Sequence, residues 1–220
     1  HIDWKQLMAF KRTFTDPVPE KMAQRYQDKD VDTFHGKARF LSEKTLQVAE
    51  ASVLEGKHFL IASGAEPVRL NIPGEEHLID SEGFLTLNTL PKRIALVGGG
   101  FIAAEFSHVA ARAGAQVTVL QHGQHMLTAF DPDLVGWLMG SFEALGIDVQ
   151  TGASVVRIDK TTTGYQVHST LEGTESMVEL DAVVHAAGRA PDFDALDLPA
   201  AGVATDQGRL RLNEFLQSAT

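Results

Sequence analysis

The sequence predicts an α/β fold built on a parallel sheet, and three observations carry the prediction. The first is the stretch Ile94–Gln121, IALVGGGFIAAEFSHVAARAGAQVTVLQ, which reads as strand, glycine turn, helix and second strand. Ile94, Leu96 and Val97 form the short apolar run of a strand buried on both faces. The second is a repeat of that order. Asp131-Pro132 opens another helix that runs to about Leu145, Gly146 ends it, and Ile147–Gln150 (IDVQ) supplies a third strand. The third is spacing: a helix between two strands is the crossover that parallel pairing requires. A β-α-β-α-β order of this kind is half of a doubly wound sheet.

With 220 residues, 44% of them hydrophobic, the chain can form one large domain or two small ones with a buried core. Its formal charge of −10, without a basic run, argues against nucleic acid or an anionic membrane surface as partner. No apolar stretch reaches membrane-span length and His1–Phe10 carries no signal-peptide pattern, so a cytoplasmic location is the expectation. The absence of cysteine excludes disulfides, Cys-ligated zinc and thiol chemistry by the chain's own residues.

Taken in order, the chain begins with a helix over His1–Phe14. Asp3 caps it, Gln6 takes the capping-box position, and Trp4, Leu7, Met8 and the stem of Lys11 share a face. Phe10 and Phe14 also suit a buried helix face. Asp16-Pro17 signals a second helix, carried by Lys21–Asp28. From Val31 to Ala62 the pattern is mostly a β-meander, through Val31–Phe34, Lys37–Leu41, Thr45–Val48 and Val53-Leu54. It ends in His58–Ala62 (HFLIA), the most apolar of these runs and on that ground the most buried.

Ser63–Pro67 (SGAEP) breaks the pattern, and Leu70–Leu90 reads as a linker with a short helical turn near Ser81–Leu85. After the third parallel strand, Ser154–Lys160, Gly164–Leu171 and Met177–Leu180 form antiparallel hairpins. Asp181–Ala186 returns as an apolar strand and Gly188-Arg189-Ala190-Pro191 breaks it. Leu196, Leu198 and Val203 are scattered apolar anchors, and Gly208–Leu212 is a last strand.

The glycine turn carries the chemistry. Gly98, Gly99, Gly100 and, three residues later, Ala103 give the G-x-G-x-x-A form of the dinucleotide fingerprint. Gly98 allows the tight turn, Gly100 lets the backbone approach a pyrophosphate with no Cβ in the way, and Ala103 lets the helix lie close on the sheet. The helix, which stops at Gly114, offers unpaired N–H groups and a partial positive charge at its start. Gly98, Gly99, Gly100, Phe101, Ile102 and Ala103 are therefore the candidate dinucleotide-binding residues.

The end of the second strand selects the cofactor. An acid there would bond the adenosine ribose hydroxyls of NAD. Here stands Gln121, followed by His122, Gly123, Gln124 and His125. Two imidazoles can meet a 2′-phosphate, an anion that would favour their charged forms, so these residues favour NADP over NAD. The plain alternative is that both histidines lie on an exposed loop and select nothing. His122 and His125 are the only close pair among nine histidines, and no acid or thiol nearby completes a metal site. Glu75-Glu76 reads as a pair of solvated loop charges.

In order along the chain, SGAEP, PKRIALVGGGFIAAEF, FDPDL and DAVVHAAGRAPDFDALDLPAAGV resemble the FAD-dependent pyridine nucleotide–disulfide oxidoreductases. Glutathione reductase, dihydrolipoamide dehydrogenase and mercuric reductase belong to that family. The resemblance implies a Rossmann-like NAD(P)-binding domain over residues 66–190, with parallel sheet and β-meander. It would be inserted into an FAD-binding domain of the same type, residues 1–65 being its middle segment and 191–220 the start of its return. Ser63–Pro67 would be the first crossover, with Ser63 and Gly64 at the cofactor. Gly188 and Arg189 match the turn beside the bound nicotinamide; their plain reading is a domain-crossover turn. The family's first FAD fingerprint and redox-active cysteine pair would lie before His1. A second FAD motif would begin near Thr220, and a dimerisation domain with the catalytic histidine would follow.

By the same resemblance, Phe101 stands where a tyrosine usually covers the nicotinamide pocket. Glu105 matches a glutamate that pairs with a lysine beside the flavin; its plain reading is a solvated helix position. His122 and Thr128 stand where NADP-using members carry arginines, and neither grips a phosphate as a guanidinium fork does. The implied function is hydride transfer from NAD(P)H to FAD. In the full-length homodimer electrons would pass on to a cysteine pair and a small-molecule disulfide or similar acceptor, while the fragment alone would be inactive. Two alternatives stay open: a two-dinucleotide reductase without the disulfide, of NADH oxidase or ferredoxin reductase type, and a non-catalytic NAD(P)-binding module.

Overall fold

The computed structural model describes residues 2–171, 173–206 and 208–218. The chain forms two compact units, His1–Thr15 with Pro67–Gly188, and Asp16–Glu66 with Arg189–Thr220. Helix α1 (Trp4–Thr15) begins at the expected cap, the Asp3 carboxylate accepting from Gln6 N at 3.0 Å. It belongs to the first unit. Trp4 and Met8 are buried, Trp4 Nε1 donates to Leu87 O at 2.8 Å, and the indole meets the Phe84 ring edge-on. Phe10 and Phe14 do not share that buried face; both are exposed and lie edge-to-face on one another. The helical period explains it: residues 4 and 8 form one stripe, and 10 and 14 fall on another side of the cylinder.

In the second unit, α2 (Val18–Gln27) starts three residues before Lys21, with Pro17 at the N-cap position and Pro19 in the first turn. Val31–Phe34 is not a strand. Strands β1 (Ala38–Ser42), β2 (Thr45–Val48) and β3 (Ser52–Glu55) form the expected antiparallel meander. His58–Ala62 is not a strand either, and not the most buried run. Phe59 and Ile61 pack toward Phe40, while Leu60 is 94% exposed. An apolar run becomes a strand only where a neighbour accepts its backbone hydrogen bonds, and among the described residues none pairs with this one. β4 (Ala65–Pro67) forms inside the stretch expected to be only a breaker.

Back in the first unit, residues 70–90 are more than a linker. α3 (Ser81–Thr86) is capped by Asp80, which accepts from Gly83 N at 2.8 Å, and Phe84 is buried in the core. Ile79 bridges Val184 in parallel. Glu75, read as a solvated charge, accepts from Leu70 N and Asn71 N, both at 2.9 Å, and from Arg69 Nε at 2.6 Å. Desolvation pushes its carboxyl up, but the Asn71 and Leu70 amides and the Arg69 guanidinium together hold it below the usual range.

The expected β-α-β-α-β follows as β5 (Arg93–Val97), α4 (Phe101–Arg112), β6 (Gln116–Gln121), α5 (Pro132–Ala144) and β7 (Asp148–Thr151). Asp131 caps α5, accepting from Asp133 N at 2.9 Å. Then β8 (Ala153–Lys160), β9 (Tyr165–Leu171) and β10 (Thr174–Leu180) form the antiparallel meander, and β11 (Ala182–His185) pairs in parallel with β5. The parallel sheet has the order β11-β5-β6-β7. Its two faces are both covered. Ile94 and Leu96 join Ala103, Ala110 and Phe142 on the helix side, while Ala95 and Val97 join Ile158, Val167 and Leu180 on the meander side. At one end of β5, Arg93 Nη2 donates to Asp181 at 2.7 Å and Arg93 N at 2.9 Å. The Arg93 hydrogen bond is the chief cause holding the Asp181 carboxyl below its ordinary range.

The chain returns to the second unit through β12 (Arg189–Pro191), which pairs with β4 where the sequence suggested only a break. Two 3₁₀ turns follow at Asp194–Leu196 and Leu198–Ala201. Leu198 and Ala201 pack on Phe40, with Leu196 and Val203 against them. In place of a strand over Gly208–Leu212 there is a two-residue ladder of β13 (Thr205–Asp206) and β14 (Arg209–Leu210).

Candidate dinucleotide-binding site

The turn between β5 and α4 lies at the carboxyl edge of the parallel sheet, where doubly wound folds take their ligands. Gly98 has φ +113°, and a Cβ there would stand 2.3 Å from Ala186 O and 2.6 Å from Ala187 Cα. Conformation and the passage of the chain leaving β11 both require glycine at this point. Gly98 N donates to Leu120 O at 2.8 Å, tying the turn to β6.

Gly100 is a different case. Its φ of −84° suits any residue, and a Cβ would meet only Ala186 O, at 3.8 Å. The protein's own packing leaves the space over Gly100 open. Gly100 is also the N-cap of α4, and no side chain caps the first-turn amides. Those amides and the positive end of the helix dipole face outward there. Ala103 is fully buried, as close seating of α4 on the sheet demands, and Ile102 is half-buried against the same cluster.

Phe101, the first residue of α4, is 57% exposed, and Glu105 is exposed one helical turn later on the same side. Gln121 ends β6 and is buried; its Nε2 donates to His125 O at 3.1 Å. His122, His125 and Thr128 are exposed on the loop that follows. Gly188 has φ +117°, and its carbonyl accepts from Val68 N at 3.2 Å.

The fingerprint Gly98–Ala103, with Glu105, Gln121, His122, His125 and Gly188, belongs to the first unit; Ser63, Gly64 and Arg189 belong to the second. There, Ser63 Oγ donates to Asp192 O at 2.6 Å, Gly64 O accepts from Asp192 N at 3.3 Å, and the Arg189 guanidinium donates to Ala65 O. Two further participants are not among the candidate site residues that the sequence marks. Ala186 closes over Gly98, which the pairing of β11 with β5 would have suggested. Leu127 donates its N–H to Gly99 O at 2.8 Å from a left-handed conformation, φ +51°. No residue-type signal marks a leucine for that role. Behind its loop, Met126, Phe130, Val135 and Met139 line a cavity of about 460 Å³.

No helix among the described residues is long and apolar enough to cross a membrane. Residues 8–220 match the pyridine nucleotide-disulphide oxidoreductase family. The chain is 32% identical to mercuric reductase of Staphylococcus aureus over 203 residues, covering 91% of this chain and 37% of that protein. It is 31% identical to glutathione reductase of Burkholderia cepacia, covering 99% of this chain and 48% of that one. Its structure is similar to the HOCl-induced flavoprotein disulfide reductase RclA from Escherichia coli, with a TM-score of 0.91 and 28% identity, covering 99% of this chain and 50% of the other. The chain thus spans half or less of the length of these relatives. With a match over nearly its whole length, it belongs to the pyridine nucleotide-disulphide oxidoreductase family.

Proposed function

We propose that the protein is the dinucleotide-binding part of an NAD(P)H- and FAD-dependent reductase of disulfides or similar small acceptors. Residues 66–190 hold NAD(P)H, and residues 1–65 and 191–220 contribute to the FAD-binding domain of a longer homodimeric enzyme. Unit boundaries at Glu66-Pro67 and Gly188-Arg189 support the two crossovers, while a third, at Thr15-Asp16, departs from that division and places α1 with the NAD(P)-binding unit.

The observation that carries the reading is the pair Gly98 and Gly100. Packing and backbone conformation account for the first glycine, and neither accounts for the second. A glycine left over open space at an uncapped helix start fits a pyrophosphate.

When bound, the nicotinamide and the flavin supply the hydride donor and acceptor. The chain's residues bind and orient. Gly100 leaves room for the pyrophosphate, and the first-turn amides of α4 donate to it. Phe101 covers the nicotinamide end and swings aside on binding. Glu105 holds a negative charge one turn further on, for a lysine beside the flavin. Gly188 and Arg189 serve the nicotinamide side, and Ser63 and Gly64 the crossover at the cofactor. With no acid at Gln121, and with His122 and His125 exposed nearby, NADP is the preferred dinucleotide over NAD.

Gly100→Val tests the site. The variant is expected to lose NADPH binding while its unfolding free energy stays within about 1 kcal/mol of the parent, because a Cβ at Gly100 meets only Ala186 O, at 3.8 Å, and its φ of −84° suits any residue. Retained affinity refutes the site. For the histidines, NADPH affinity is expected to exceed that for NADH, and replacing His122 and His125 together with Ala is expected to lower the NADPH affinity alone; an unchanged ratio refutes their role.

A further inference from the structure

We infer that Gln121 is a positioning residue: its buried carboxamide sets the joint shape of the glycine turn and of the loop after β6, and does not read the ribose. The inference rests on the dinucleotide site proposed above. Gln121 is 8% exposed, and its Nε2 donates to His125 O at 3.1 Å, closing residues 121–125 on themselves. Its side chain also lies against two glycines. A Cβ added to Gly99 would stand 2.8 Å from Gln121 Cγ and Cδ, and one added to Gly123 would stand 2.8 Å from Gln121 Nε2. Both glycines make room for this side chain.

Leu127 completes the tie. Its N–H donates to Gly99 O at 2.8 Å, and its φ of +51° is a conformation a leucine holds only where its surroundings impose it. The backbone amide of Leu127 therefore fastens the loop to the middle glycine of the fingerprint, next to Gly100, and the Gln121 carboxamide closes that loop on itself while lying against the same glycine.

The chemistry requires an amide. A carbonyl accepts, so the group facing His125 O has to donate, and a carboxylate has no hydrogen to give. Glutamate in the same place would set a charge against a carbonyl at a part-buried position. An acid at the end of this strand serves NAD by reaching the ribose hydroxyls, whereas the Gln121 side chain lies against Gly99 and Gly123 with its Nε2 on His125 O. Replacing Gln121 with Glu is therefore expected to damage the site for both dinucleotides and not to convert its preference.

The test titrates the parent protein, Gln121→Glu and Gln121→Met with NADP⁺ and NAD⁺ by calorimetry, and follows amide hydrogen exchange. Both variants are expected to bind both dinucleotides about tenfold more weakly, with the ratio of the two affinities within about twofold of the parent's. Exchange is expected to speed up at Gly99 and Leu127 while β5 and β6 stay protected, which a general loss of structure would not produce. A tenfold or larger swing toward NAD⁺ in the Glu variant overturns the inference, and so do unchanged affinities in both variants. If the Glu variant does not fold, the Met variant, which lacks the donor but buries no charge, carries the same expectations. Failure of the parent to bind either dinucleotide overturns the underlying site and this inference with it.

Discussion

In the first unit, β5 is closed on both faces, with Ile94, Ala95 and Leu96 entirely out of solvent, and it has a hydrogen-bonded strand on each side. In the second unit, the equally apolar His58–Ala62 has no ladder partner among the described residues, and Leu60 is almost fully exposed. The second unit's buried cluster comes down to Phe40, Leu198 and Ala201, while Val53, Phe215 and Leu216 stand in solvent. The two runs differ in what surrounds them and not in composition. An apolar run states that burial would be favourable; a neighbouring strand and a covering layer decide whether it happens.

The sharpest way to break this comparison is at Leu96. Leu96→Ala removes a fully buried side chain from the parallel sheet and is expected to cost about 2–5 kcal/mol, read from urea unfolding of the first unit. A cost under about 1 kcal/mol would mean that the sheet is not the closed core described.

A second effect is electrostatic and has a sign. The Asp181 carboxyl is held below its ordinary value, first by its hydrogen bond to Arg93. Its contribution to stability is therefore complete above the unfolded-state value of about 3.9 and is lost as pH falls through the lower folded value. Glu75 has the same sign. The urea midpoint of the first unit is expected to hold level from pH 7 to about pH 5 and to fall below about pH 4. Asp181→Asn is expected to lower the midpoint at pH 7 and to shallow the acid limb; an acid limb of unchanged slope would clear Asp181 of the role.

Smaller still is the effect at Ser169, whose Oγ is buried on the meander with no hydrogen-bond partner among the described residues. Ser169→Ala removes an unpaired polar atom and is expected to stabilise the first unit by up to about 1 kcal/mol. A loss of stability would reveal a partner for the hydroxyl. Smallest of all is Leu60→Ala, expected within about 0.5 kcal/mol of the parent in the same measurement on the second unit. A core-sized cost there would erase the contrast between the two units.

The parts that were legible beforehand share one property: their determinants are local. The cap at Asp3, the cap at Asp131, and the order of strand, turn and helix around Gly98–Ala103 each depend on residues within one or two turns of each other. The elements that differ from the sequence expectation have the opposite property: their determinants are distant. Apolarity alone favours burial of Phe10 and Phe14, and the helical period turns them outward. Val31–Phe34 and His58–Ala62 have no partner strand among the described residues, while the expected breaks Ser63–Pro67 and Gly188–Pro191 contain β4 and β12, which pair with one another. Within the candidate site the glycines could be read because each marks a missing side chain. The inward turn of Gln121 could not, because neighbouring residues do not say where a long polar side chain will find its acceptor.

By itself, the sequence determined that a glycine turn would join two parallel strands through a helix, because small residues and helix caps act over a few bonds. It also carried enough motif order to mark the family. Tertiary structure alone decided that β11 would lie beside β5 and close over Gly98, that α1 would pack with residues far along the chain, that Leu127 would tie the loop to the turn and that Gln121 would close the loop on itself. Those outcomes depend on which distant groups offer a surface or a hydrogen-bond partner, and only the folded chain brings such groups together.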